Sequence, residues 1–107
     1  MICEAERLRG RALYPRILKR VRNLIRERRY VVTVHALDEM DDDGLTIFDV
    51  ERVILTGEIT ERQKDSKSRE WKYLVRGKTI EDLDAGVVLK IGPTDKLIVI
   101  TVYVDEV

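Results

Sequence analysis

Tyr30-Val31-Val32-Thr33-Val34-His35-Ala36-Leu37-Asp38-Glu39-Met40-Asp41-Asp42-Asp43-Gly44 changes pattern in mid-course. Its first part is apolar and β-branched, which favours a strand over Tyr30 to His35. Its second part carries five acidic residues and closes on Gly44, which predicts a short helix over His35 to Asp43 with a glycine stop. A strand therefore delivers the only histidine of the chain to the start of an acidic helix. Histidine is the side chain whose unperturbed pKa lies near neutrality, so this junction is the first candidate for proton-transfer chemistry.

Upstream of it, Pro15 suits the first position of a helix. Ile17, Leu18, Val21, Leu24 and Ile25 then recur at helical spacing, with Arg16, Lys19, Arg20, Arg22 and Arg26 between them. That pattern predicts an amphipathic basic helix over 15–29. Residues 4–13 are expected to form a preceding helix or to fray. Downstream, Thr46 and Asp49 make a capping-box pair, flanked by Leu45 and Val50 in the positions of a hydrophobic staple. Ile47, Val50, Val53 and Ile54 mark the buried face of that helix, and Gly57 ends it.

Beyond Gly57 the period changes to that of strands. Candidates cover 58–64, 69–78, 86–91 and 97–104. The second places Trp71, Tyr73 and Val75 on one face and Lys72, Leu74 and Arg76 on the other. Gly92-Pro93-Thr94-Asp95 is a strong turn between the last two. Leu97 to Val104 is apolar on both faces and reads as a central strand. The order is helix, strand, two helices and a four-strand meander. This predicts an α+β fold, with N-terminal helices packed on one face of a mostly antiparallel, roughly four-stranded sheet.

The 107 residues fit one domain, with 1–29 as a basic helical segment and 30–104 as the core. Cys3 has no partner for an intrachain disulfide or a zinc site, which suits a reducing, cytoplasmic compartment. No secretory leader is expected, and no stretch approaches the ~20 apolar residues of a membrane span. Formal net charge is zero but segmented: +7 over 1–30, −8 over 31–61, +5 over 62–80 and −4 over 81–107. A dedicated duplex-DNA binder is usually more basic overall. The two basic segments either form one phosphate-attracting face or neutralise the acidic ones.

His35-Ala36-x-x-Glu39-Met40, Gly44-Leu45, Asp49-Val50 and Gly57-Glu58-Ile59, followed by Arg76-Gly77, Val87-Val88 and Thr101-Val102-Tyr103, resemble a family of small domains. It is catalogued as domain of unknown function four-two-five-eight. The resemblance covers about residues 30–104. That family stands beside the RelE and ParE toxin superfamily, and its members often neighbour an MqsA-type zinc-finger antitoxin. The resemblance therefore implies a RelE-like fold and the toxin half of a type II toxin–antitoxin system. It further implies endoribonuclease activity on messenger RNA, with the RNA or the ribosome as target, and inhibition by an antitoxin protein. Many members carry Arg at the places of Glu39 and Asp43, and a second His near Gly86. Those exchanges point to a subgroup with its own pairings, such as Glu39 with Arg62 or Arg76.

Cleaving RNA without a metal needs a base for the 2′-hydroxyl, an acid for the leaving oxygen and cations for the phosphorane. His35 and Glu39, four residues apart on one helix face, are the candidates for proton transfer. Arg76 is the candidate for the phosphate and Tyr103 for a base contact or a donated proton. Arg62 and Lys78 would add phosphate contacts, and Tyr73 would stack a base. No cofactor or metal is required. Asp41-Asp42-Asp43-Gly44 invites a calcium loop, but with Gly44 in the loop's glycine position Val50 stands where the closing glutamate belongs. The alternative function is a protein-binding module or degenerate toxin relative without catalysis, in which the oppositely charged segments dock a partner.

Overall fold

The computed structural model describes residues 13–105. Cys3 and the helix expected over 4–13 lie outside the described residues, apart from Leu13, which forms an isolated antiparallel bridge to Ile59. The elements run α1 (Pro15–Arg26), β1 (Tyr30–Val32), α2 (Val34–Asp42), α3 (Ile47–Thr56), β2 (Glu58–Lys64), β3 (Trp71–Lys78), β4 (Asp84–Ile91) and β5 (Leu97–Val104).

The first helix buries Leu18, Val21, Leu24 and Ile25, the stripe its periodicity predicts. It stops at Arg26, short of 29. Arg28 takes a left-handed φ of 58°, and the Arg29 N–H returns to the Leu24 carbonyl at 2.9 Å, which closes the last turn and aims the chain into β1. The second helix starts at Val34 because Thr33 caps it, its hydroxyl accepting from the Ala36 N–H at 3.1 Å. It ends as the glycine predicts: Gly44 has φ 67°, and the Leu45 N–H bonds the Met40 carbonyl at 2.8 Å. The third helix carries the predicted capping box of Thr46 and Asp49. Its C-terminus is closed from outside, by Arg22 of α1 donating to the Gly57 carbonyl at 2.7 Å.

The four-strand antiparallel meander β2-β3-β4-β5 is present, but the sheet has five strands, in the order β1-β5-β4-β3-β2. The extra strand pairs parallel to β5, with Tyr30 opposite Leu97 and Val32 opposite Val99. The expectation of roughly four antiparallel strands is thus corrected to a mixed five-stranded sheet. Local pattern finds the strand, but its partner lies at the far end of the chain, across two helices and three strands. The middle strand is β4; β5, expected to be central, has a strand on both sides only over Leu97–Val99 and is an edge beyond that.

All three helices pack on one face. Ile59, Val75, Val87, Leu89, Leu97, Val99 and Val102 are buried there with Val53 and Ile54 of α3 and Ala36 and Met40 of α2. Each of these side chains other than Ala36 contributes roughly 1.5–3 kcal/mol on burial. The alternate positions, including Leu74, Val88, Ile98, Thr101 and Tyr103, are half-buried, and no helix among the described residues covers them.

Candidate functional site

β1 is only three residues long, so beyond Val99 the edge of β5 has no strand partner. The start of α2 fills that place. The Thr33 N–H donates to the Val99 carbonyl at 3.0 Å and its hydroxyl to the Ile100 carbonyl at 3.2 Å. One turn on, Glu39 Oε1 accepts from the Val102 N–H at 3.0 Å. The same oxygen lies 3.4 Å from Nε2 of His35, four residues earlier on the helix. Glu39 therefore ties the imidazole to the edge of the sheet, while the His35 side chain is 68% exposed. The pairing anticipated between Glu39 and Arg62 or Arg76 does not form, because the backbone of β5 takes up the carboxylate first.

Tyr103 follows Val102 and so points to the uncovered face. Its register partner is Gly86, and its ring lies across that glycine: a Cβ at position 86 would fall 2.4 Å from the ring's Cζ. With nothing in between, the hydroxyl reaches β3 and accepts from Arg76 Nη1 at 3.0 Å. The other guanidinium nitrogen, Nη2, pairs with Asp105. A continuous line of contacts thus crosses the strands, from His35 through Glu39 and the Val102–Tyr103 backbone to Arg76 and Asp105.

Lys78 stands two residues beyond Arg76 on the same face and pairs with Asp84 at 2.6 Å. That contact holds the ammonium pKa above its ordinary value and the carboxyl pKa below its own, by hydrogen bonding first and by charge second. Arg76, Lys78 and Asp84, with Thr56, Gly77 and Ala85, line a cavity of about 270 Å³. Lys72 and Lys90 complete the basic rim of this face, held by Asp65 at 3.9 Å and Glu70 at 3.0 Å. Sequence reasoning put Lys72 on the face of Arg76 but named neither it nor Lys90 as a site residue, although alternation along β4 puts Lys90 on the face of Val88.

Two expected site residues lie elsewhere. Tyr73 is 6% exposed and packs edge-to-face against Tyr14, with ring centroids 5.8 Å apart, so its ring belongs to the core rather than to a base-stacking platform. Arg62 pairs with Tyr73 in register and shares its side of the sheet. Its guanidinium lies 4.0 Å from the ring centroid of Trp71 and 4.7 Å from that of Tyr14. Two aromatic faces hold that charge by cation–π attraction, away from Arg76 and Lys78. The reason is a bulge between Ile59 and Glu61, which shifts the faces of β2 by one residue.

Among the described residues, no three His, Cys, Asp or Glu side chains come together in a group suited to a metal ion. No helix among them is long and apolar enough to cross a membrane. A family model described as Domain of unknown function (DUF4258) matches residues 32–104. The chain belongs to that family. The DUF4258 span takes in β1's last residue through β5, and so holds every residue of the line from His35 to Arg76, but neither α1 nor Asp105. No curated protein and no solved structure matches the chain.

Proposed function

We propose that this DUF4258 chain is the toxin of a toxin–antitoxin pair, a metal-independent endoribonuclease that acts on messenger RNA from the uncovered face of its sheet. The observation that supports the reading is the line of contacts from His35 to Arg76. It links an imidazole at the sheet's edge, through Glu39 and the backbone of β5, to a phenol and a guanidinium on the uncovered face. In this reading His35 takes the proton of the 2′-hydroxyl, and Glu39, held by the Val102 N–H, orients the ring. The 2′-oxygen bonds to phosphorus as the bond to the 5′-oxygen breaks. Arg76 offsets the charge of the phosphorane. Because Arg76 donates to the Tyr103 oxygen, the tyrosine keeps its own proton to give to the leaving 5′-oxygen.

A second reading, a protein-binding module without catalysis, draws on a specific observation. Lys72, Arg76, Lys78 and Lys90 each already meet a carboxylate of this chain. RNA binding must exchange those partners for phosphates, whereas a protein-binding surface leaves them in place.

Incubation of the purified protein with a mixed-sequence RNA, with and without EDTA, separates the two. Cleavage that EDTA leaves intact, that His35→Ala abolishes and that Tyr103→Phe lowers supports the ribonuclease. Absence of cleavage by folded protein, with ribosomes present as well as without, removes the enzymatic reading and leaves the module.

A further inference from the structure

Three large apolar side chains stand in solvent on the side of the molecule where α3 begins: Phe48 is 58% exposed, Ile80 56% and Leu83 47%. None of the three serves the core, and Phe48 lies off the buried stripe of its helix. They are displayed on rigid supports. The 79–83 turn is closed by the Thr79 N–H to the Leu83 carbonyl at 2.9 Å, and by the Leu83 N–H to the Thr79 hydroxyl at 3.1 Å. Thr79 itself is 2% exposed. The turn is braced on α3 because the Ile80 N–H donates to Asp49 Oδ1 at 3.0 Å, beside Phe48. Exposed apolar groups held in place by a satisfied backbone mark an interaction surface rather than a folding requirement.

The rim of this patch is acidic. Asp41, Asp42 and Asp43 end α2, and Glu81 and Asp82 sit in the turn. A small cavity of about 50 Å³, lined by Asp43, Gly44, Leu45, Asp49, Thr79, Glu81 and Leu83, joins the two sides of the rim. None of these five acidic side chains makes an ion pair among the described residues.

We propose that Phe48, Ile80 and Leu83 form a docking site for a partner protein's basic amphipathic segment, whose apolar anchors cover the three side chains while its Lys or Arg residues meet Asp41, Asp42, Asp43, Glu81 and Asp82. Charge complementarity selects this occupant. A second copy of this chain fits less well, since the cations of α1 stand on a helix whose apolar stripe is already buried. Such a copy would bring charge without an anchor. The surface involves neither His35 nor Arg76, so it stands or falls independently of RNA cleavage.

The test uses a labelled synthetic helical peptide of Leu and Lys at heptad spacing. Two controls accompany it, one with every Leu replaced by Ser and one with every Lys replaced by Glu. The Leu/Lys peptide alone is expected to bind saturably. Phe48→Ser with Ile80→Ser should weaken it at least tenfold while the circular dichroism spectrum stays that of the parent. Should the double variant unfold, Leu83→Ser alone serves the same arm. Asp41→Asn, Asp42→Asn and Asp43→Asn together should weaken binding and flatten its salt dependence. Absence of saturable binding, equal binding by the Ser control, or unchanged affinity in the folded serine variants overturns the proposal. A dimer in sedimentation that Phe48→Ser with Ile80→Ser dissociates also overturns it, and makes the patch a contact between copies.

Discussion

Glu39 does two jobs with one oxygen: it satisfies the Val102 N–H at the unpaired edge of β5 and it holds His35. Glu39→Ala leaves a backbone donor without its partner and should cost about 1–3 kcal/mol in urea unfolding. Glu39→Gln keeps an acceptor for Val102 and should lose less than half as much. Gly86 poses a different demand. An added Cβ meets only the far end of the Tyr103 side chain, which can swing away. Gly86→Ala should therefore change stability by no more than about 1 kcal/mol, yet break the Tyr103–Arg76 hydrogen bond. The Tyr103 ring resonances of the variant should shift as those of Arg76→Lys do. Asp49 sets the pH response of the α3 junction. Burial pushes its carboxyl pKa up, but hydrogen bonds from the Thr46 and Ile80 N–H groups outweigh that and leave it lowered. The stabilisation is then fully present above the unfolded carboxyl's pKa of about 3.9 and is lost as pH falls through the lower folded value. Urea midpoints should show Asp49→Asn weakest relative to the parent at neutral pH, with the gap closing in acid. The His35–Glu39 spacing and the Thr46–Asp49 box were legible because both are local. The Val102 partner of Glu39 was not, since no pattern in one chain announces which backbone N–H a strand will leave over.

Among the elements, α3 and β3 approach more closely than side chains allow. A Cβ on Gly57 would lie 2.3 Å from the Arg76 carbonyl oxygen, and one on Gly77 would lie 2.4 Å from that of Val53. Backbone on both sides leaves nothing to move aside. Gly57→Ala and Gly77→Ala should each cost about 3 kcal/mol or more in thermal or urea unfolding, far beyond Gly86→Ala. Two glycines noticed in the sequence as a helix stop and a family motif thus share one physical cause. It is not the left-handed backbone that glycine usually supplies, for Gly57 has φ −95° and ψ −174°. The bounds of β2 and β5 and the start of α3 were readable in advance, because period, turn chemistry and caps agree there. The first three strand residues were readable as a strand but not as a parallel partner of β5. Phe48 was visible as an apolar residue outside the stripe of Ile47, Val50, Val53 and Ile54, and that mismatch is the signal by which the docking patch could have been found.

Over the whole molecule, zero net charge conceals a division of labour between faces. The uncovered sheet face collects Lys72, Arg76, Lys78 and Lys90, while the end at α3 gathers carboxylates that make no ion pair within 4 Å among the described residues. If the basic face holds RNA, each phosphate displaces an internal carboxylate, and affinity should fall steeply with added salt. Arg76→Ala should reduce the slope of that dependence by about one counterion, measured by fluorescence anisotropy with a labelled single strand in the presence of EDTA. An unchanged slope would separate Arg76 from the RNA. The pairing of Tyr30 with Leu97 has a bearing on synthesis as well. The imidazole comes from the early part of the chain, and the phenol and its strand come from the end. A ribosome must have produced β5 before the two halves can meet, since long-range parallel pairing forms only after its loop is closed. A nascent chain consequently lacks the line of contacts from His35 to Arg76 until β5 has been made and has left the ribosome.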